Sequence, residues 1–183
     1  MGNISGNEAL QLLKEGNKRF TTGNPKVKDI GKNRRDELLS KGQKPFAIIV
    51  SCSDSRVPPE LIFDQALGDL FVIRTAGNIV DSIAVGSIEY GVEHLGSPLL
   101  VIMGHSNCGA VKATVDGGEA PGCIAAIVDK ITPSVQKAKS AGVAGDELYE
   151  TSCLENIKAT INEIMESHIV QHFIKDGKLT VIG

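Results

Sequence analysis

Residues 45–56 read Pro-Phe-Ala-Ile-Ile-Val-Ser-Cys-Ser-Asp-Ser-Arg. The run 46–52 is short, continuous and apolar, the mark of a strand buried on both faces. Just past its end the chain sets a thiol (Cys52), a carboxylate (Asp54) and a guanidinium (Arg56) at alternate positions. Reactive groups on the lip of a buried strand point to a ligand site at the carboxyl edge of a parallel sheet.

Three further runs, 70–76, 99–105 and 179–183, have the same apolar character and read as strands of that sheet. The segments between them read as helices. Ser5-Gly6-Asn7-Glu8 is a capping box that opens an amphipathic helix to about Phe20. A polar stretch with Gly23, Pro25 and Gly31 follows, then a charged helix to Leu39. A helix from Asp81 carries Val85, Ile88, Val92 and Leu95 on one face and stops at Gly96. The longest helical pattern runs 146–175, with Leu154, Ile157, Ile161 and Ile164 as its apolar stripe. Thr132-Pro133 is expected to break the preceding helix or to start a new one. The expected fold is α/β: a mostly parallel central sheet of about four strands flanked by helices, with an N-terminal helical arm. One domain covers 1–183, with the arm at about 5–40 and the core at about 44–183.

The bulk properties narrow the function. The 183 residues are 42% hydrophobic and 22% charged, with a net charge of −3 and no basic stripe, which argues against nucleic acid. No apolar run approaches the length of a membrane span, and the N-terminus lacks a secretory pattern, so the expected compartment is the cytosol. The chain opens Met1-Gly2, but Gly6 stands where a myristoylation motif needs Ser or Thr. Four cysteines, Cys52, Cys108, Cys123 and Cys153, are too few for a disulfide scaffold of this size. In a reducing compartment they suggest metal or chemistry instead.

The third strand ends in Gly-His-Ser-Asn-Cys-Gly-Ala, residues 104–110. If the first and third strands are neighbours, Cys52, His105 and Cys108 converge. Two sulfurs and one imidazole suit Zn²⁺, and three protein ligands leave a fourth position open, as in catalytic sites. Paired Cys-x-x-Cys knuckles of a structural zinc are absent. Cys123 and Cys153 have no such context and read as core packing. His168 and His172, four apart on the last helix, lack a companion carboxylate and read as a solvated face. Asp54 sits close enough to Cys52 to accept a hydrogen bond from water on the metal, or to become a fourth ligand. Arg56 is placed to keep Asp54 ionised and off the metal.

The combination Cys52-x-Asp54-x-Arg56 and His105-x-x-Cys108 resembles the β-class carbonic anhydrases, over nearly the whole chain. The resemblance implies one Zn²⁺ per subunit on Cys52, His105 and Cys108, an Asp54–Arg56 catalytic dyad, and reversible hydration of CO₂ to bicarbonate and a proton. It further implies that Gln43 helps hold bicarbonate and that Phe71 and Tyr90 line an apolar pocket. Ala76 extends that pocket's wall, Gly109 joins it, and His94 matches a proton-transfer position. In the family the pocket lies between subunits, so Gln43, Phe71 and Tyr90 are expected to serve a neighbour's metal in a homodimer or dimer of dimers. Ile49 stands where some members carry a Trp of a regulatory bicarbonate site. Arg74 alone matches that site, so such regulation is not expected. Relatives continue past the position of Gly183 into another strand, which implies a truncated sheet edge. Hydrolysis of CS₂ or COS on the same frame, and a non-catalytic zinc or anion-binding protein, remain the competing readings.

Overall fold

The computed structural model describes residues 4–183, so the Met1-Gly2 start lies outside the described residues. Strand β1 (Ala47–Cys52) pairs on one side with β2 (Leu70–Thr75) and on the other with β3 (Leu99–Met103), which pairs in turn with β4 (Thr180–Ile182). All three pairings are parallel, and the order is β2-β1-β3-β4. From β1 the chain moves first to one side and then crosses back to the other. That reversal opens a crevice at the carboxyl ends of β1 and β3, where ligands bind in open α/β sheets.

Every residue of β1 is buried because helices cover both of its faces. Ile48 and Val50 pack with Val80 and with Ala84, Ile88 and Val92 of α4 (Ser82–Glu93). Ala47 and Ile49 face the other way, against Ala9 and Leu13 of α1 (Gly6–Thr21). Each such aliphatic side chain withdrawn from water stabilises the fold by about 1.5–3 kcal/mol. β2 is only half-buried, because as an outer strand it has a neighbour on one edge.

The expected capping box is present: Glu8 N–H donates to Ser5 Oγ at 3.3 Å, and Ser5 N–H donates to Glu8 Oε2 at 2.7 Å. The charged helix forms as α2 (Lys32–Lys41), and Asp81 caps α4 by accepting from Ala84 N–H at 2.8 Å. Short helix α3 (Pro59–Ile62) and α5 (Gly109–Asp116) follow the two motif loops.

Three expectations need correction. Pro133 does not break a helix but lies inside α6 (Ile124–Ser140). Pro133 and Asp129, whose carbonyl it frees, both face water, while Ile131, Ser134, Val135 and Ala138 pin the opposite face. The pattern 146–175 is two helices, α7 (Asp146–Ile164) and α8 (His168–Lys175). Ser167 ends the run by capping α8, accepting from Val170 N–H at 3.2 Å while its hydroxyl donates to Glu89 at 2.6 Å. Leu154, assigned to the apolar stripe, is 57% exposed, and the inward face of α7 instead includes Ser152, Cys153, Asn156 and Thr160.

The N-terminal arm is fastened by a buried charge. Asp64 follows α3 with its side chain fully enclosed and receives Arg19 at 2.5 Å, Lys28 Nζ, and Lys26 N–H at 3.1 Å. Beside it, a Cβ on Gly16 would sit 1.7 Å from the Phe63 carbonyl oxygen, so α1 docks this closely because the residue is glycine. Burial pushes the Asp64 carboxyl up, but its hydrogen bonds from Lys28, Arg19 and Lys26 outweigh that and hold it well below the usual carboxylate range. A carboxyl lowered in the folded state adds stability above its unfolded pKa of about 4, and loses it as acid titrates the folded form. Asp64→Asn, which tolerates the positive φ of 51° there, is expected to destabilise by about 3 kcal/mol at pH 7. Denaturant titrations should show that gap constant above about pH 5 and closing below it.

Candidate metal centre

The register of the sheet brings the two motifs together. Ser51 pairs with Met103, so Cys52 and Gly104 leave β1 and β3 side by side. After His105 the chain turns through Asn107, at a left-handed φ of 55°, and Cys108 precedes the first turn of α5. The sulfurs of Cys52 and Cys108 lie 4.0 Å apart. Together with a ring nitrogen of His105, these donor atoms all fall within 4.8 Å of one another. Among the described residues no other group of His, Cys, Asp and Glu side chains is arranged to hold a metal ion.

The imidazole is oriented for ligation. His105 Nδ1 lies 3.0 Å from the Ser106 carbonyl, which can only accept, so Nδ1 donates there and Nε2 is the ring nitrogen left for ligation. Nε2 is buried and has no hydrogen-bond partner. A buried acceptor left bare beside two sulfurs is costly unless a cation completes it. The donor set fits a divalent ion of borderline softness.

The thiols are a coupled pair. A hydrogen bond from Cys108 favours the Cys52 thiolate, and Gly77 N–H adds another at 3.3 Å. That same sharing with Cys52, followed by burial, pushes the Cys108 thiol up.

Asp54 and Arg56 are ion-paired. Arg56 grips both carboxylate oxygens, Nε to Oδ1 at 2.9 Å and a terminal nitrogen to Oδ2 at 2.7 Å, and also donates to the Asn107 carbonyl at 3.0 Å. The grip holds the Asp54 carboxyl well below the usual carboxylate range. Asp54 Oδ2 stands 3.9 Å from His105 Nε2, at the edge of the donor triangle. Arg74 lies beneath the loop, donating to the Cys52 carbonyl at 2.9 Å and the Asp54 carbonyl at 2.6 Å. Its guanidinium is thus engaged in holding the loop itself.

The remaining site candidates divide into two groups. Ala76 and Gly109 are exposed next to the triangle, one following β2 and the other opening α5. The others are elsewhere. Phe71 pairs with Ile48, four residues upstream of Cys52, or about 13 Å along the strand. Its ring lies 6.2 Å from that of Tyr90, which lies 5.1 Å from His94. Gln43 and His94 line a groove of about 780 Å³ with Pro45, Phe46, Ser97 and Pro98, at the amino-terminal end of the sheet. Within one chain, then, these four residues do not meet the metal-binding triangle. Of the cysteines assigned to packing, Cys153 is buried with its thiol 3.6 Å from the His105 carbonyl. Cys123 is exposed, because it sits at the solvent end of α6 after a glycine-rich turn.

Sequence reasoning missed the turn Ala76–Asn78, whose Gly77 reaches Cys52, and the part Arg74 plays. A glycine directly after the second strand's carboxyl end was the available signal.

Comparison with known proteins agrees with this geometry. The family model described as carbonic anhydrase matches residues 47–183. The chain is 40% identical to a carbonic anhydrase of Mycolicibacterium smegmatis, covering 96% of this chain and 85% of that protein. It is 39% identical to carbonic anhydrase 2 of Mycobacterium tuberculosis, covering 100% of this chain and 89% of that protein. Among solved structures, the β-carbonic anhydrase CcaA superposes with a TM-score of 0.72 at 28% identity, over 95% of this chain and 81% of that one. Motif, topology and relatives converge, and the chain belongs to the β-carbonic anhydrase family.

Proposed function

We propose that Cys52, His105 and Cys108 hold one Zn²⁺ and that the protein catalyses the reversible hydration of CO₂ to bicarbonate and a proton. The observation that carries this reading is the bare, buried His105 Nε2 facing two sulfurs, with a carboxylate clamped 3.9 Å away. When bound, the metal makes a coordinated water acidic enough to supply hydroxide near neutral pH, as in the three-histidine carbonic anhydrases.

The protein's own groups do the positioning. Asp54, kept charged by Arg56, accepts a hydrogen bond from water in the mouth of the site and turns that water's lone pair toward CO₂. Arg56 engages both carboxylate oxygens and so would keep Asp54 from ligating a bound metal; were that grip released, Asp54 could supply a fourth ligand. Ala76 and Gly109 rim the mouth without offering competing donors from their side chains. CO₂ is apolar and weakly held, so a full pocket needs more wall than this chain supplies beside its own triangle. Gln43, Phe71 and Tyr90 of the partner subunit complete it in a homodimer, which explains their placement away from the triangle in each chain. No helix is long and apolar enough to cross a membrane, and unoxidised thiol ligands suit the reducing cytosol.

Cys108→Ser is expected to fold yet retain little zinc after dialysis, with CO₂ hydration falling to background; metal analysis and stopped-flow assay check both. Asp54→Asn should keep the zinc and lose about a hundredfold in kcat, the scale of one aligned proton-handling group. Zinc-replete Asp54→Asn with wild-type turnover would reduce the dyad to a surface ion pair. Faster turnover of CS₂ than of CO₂ by the wild type would reassign the substrate.

A further inference from the structure

The inward face of α7 carries buried polar side chains, Asn156 and Thr160 among them. Asn156 is 1% exposed and Thr160 is 3% exposed. Each is spent on a carbonyl of one short turn. Asn156 Nδ2 donates to the Gly77 carbonyl at 2.7 Å, and Thr160 Oγ1 donates to the Asn78 carbonyl at 3.2 Å.

That turn is not one the chain would hold by itself. Gly77 and Asn78 are consecutive left-handed residues, at φ 77° and 48°. A buried backbone in this region persists when its surroundings over-determine it. Space imposes a second condition, since a Cβ on Gly77 would lie 2.7 Å from Ile131 of α6. What the turn delivers is a single N–H, that of Gly77, aimed at Cys52 Sγ from 3.3 Å.

We propose that Asn156, with Thr160, is a positioning residue of the metal centre: by fixing the turn it aims the Gly77 N–H at the Cys52 sulfur and so sets how much charge that sulfur gives the metal. The proposal rests on the reading of Cys52 as a ligand. Two thiolates donate more charge than two imidazoles and leave a bound cation less electrophilic. An N–H donor on one of them withdraws part of that charge and restores acidity to the centre. Neither Asn156 nor Thr160 touches the substrate or the donor triangle; they act through the turn.

Three variants test this. Asn156→Leu keeps the branching and deletes the donor, Thr160→Val deletes the hydroxyl at nearly constant shape, and Thr160→Ser returns it. The readouts are the sulfur-to-metal charge-transfer band of Co²⁺-loaded protein, zinc retention against a chelator, and the pH midpoint of CO₂ hydration. Asn156→Leu and Thr160→Val are expected to move the band to lower energy and raise the pH midpoint. They should also weaken zinc retention about tenfold or more, whereas Thr160→Ser behaves as wild type. If the two deletions lower the melting temperature but leave band, midpoint and retention unchanged, the residues merely pack the core and the proposal is overturned. Should Asn156→Leu fail to fold, Thr160→Val against Thr160→Ser decides the question. A wild-type protein with no sulfur-to-cobalt band would instead overturn the metal reading itself.

Discussion

Two sulfurs 4.0 Å apart share a buried corner with an imidazole nitrogen that has no hydrogen-bond partner, a cluster a cation could complete. Burial sharpens the penalty of leaving it open, because a polar atom withdrawn from water without a partner is costly. Everything near the crevice answers that constraint. The strand register brings the motifs level, the positive φ at Asn107 swings Cys108 back toward β1, and the first turn of α5 directs the N–H groups of Ala110 and Val111 at its sulfur. Arg74 ties down the carbonyls of the loop between Cys52 and Asp54. The scaffold holds the donors at spacing suited to an ion, so ligation need not first order the chain.

The same economy shapes the rest of the fold. Strand β1 has no wet face, so its side chains are uniformly apolar until the last two residues, and the change of character coincides with the change of role. The arm is secured differently. Asp64 accepts from two elements of the N-terminal segment at once, which couples α1 and the stretch after it to α3 beneath the sheet.

Most of this was legible in the sequence. Continuous apolar runs gave the four strands, since a strand covered on both faces has no alternation to confuse it with another element. The Cys52, His105 and Cys108 cluster was legible because such side chains are rare and their positions fall at strand ends. What stayed hidden followed from three-dimensional context. Pro133 is tolerated on a solvent face that a one-dimensional breaker rule ignores. Leu154 satisfied the helical period yet faces out, while Asn156 and Thr160 face in, because backbone carbonyls of a distant turn reward polar partners there. No local pattern encodes a hydrogen bond between residues 79 positions apart. The separation of Gln43 and Tyr90 from the triangle, by contrast, agrees with the expectation that they serve a neighbouring subunit, and its cause is topology: residues ahead of a parallel strand and residues behind it emerge at opposite poles.

The sheet's construction also fixes the order in which a ribosome can deliver its parts. Cys52, His105 and Cys108 have all been synthesised once Cys108 emerges, but the clamps on the Gly77 turn arrive only with α7, and β3 gains its second neighbour only with β4. Until then the nascent thiols lack the helices that later bury them, at the stage when long-range parallel pairing is slowest to form. A half-made chain is therefore the form in which these sulfurs are least shielded from solvent.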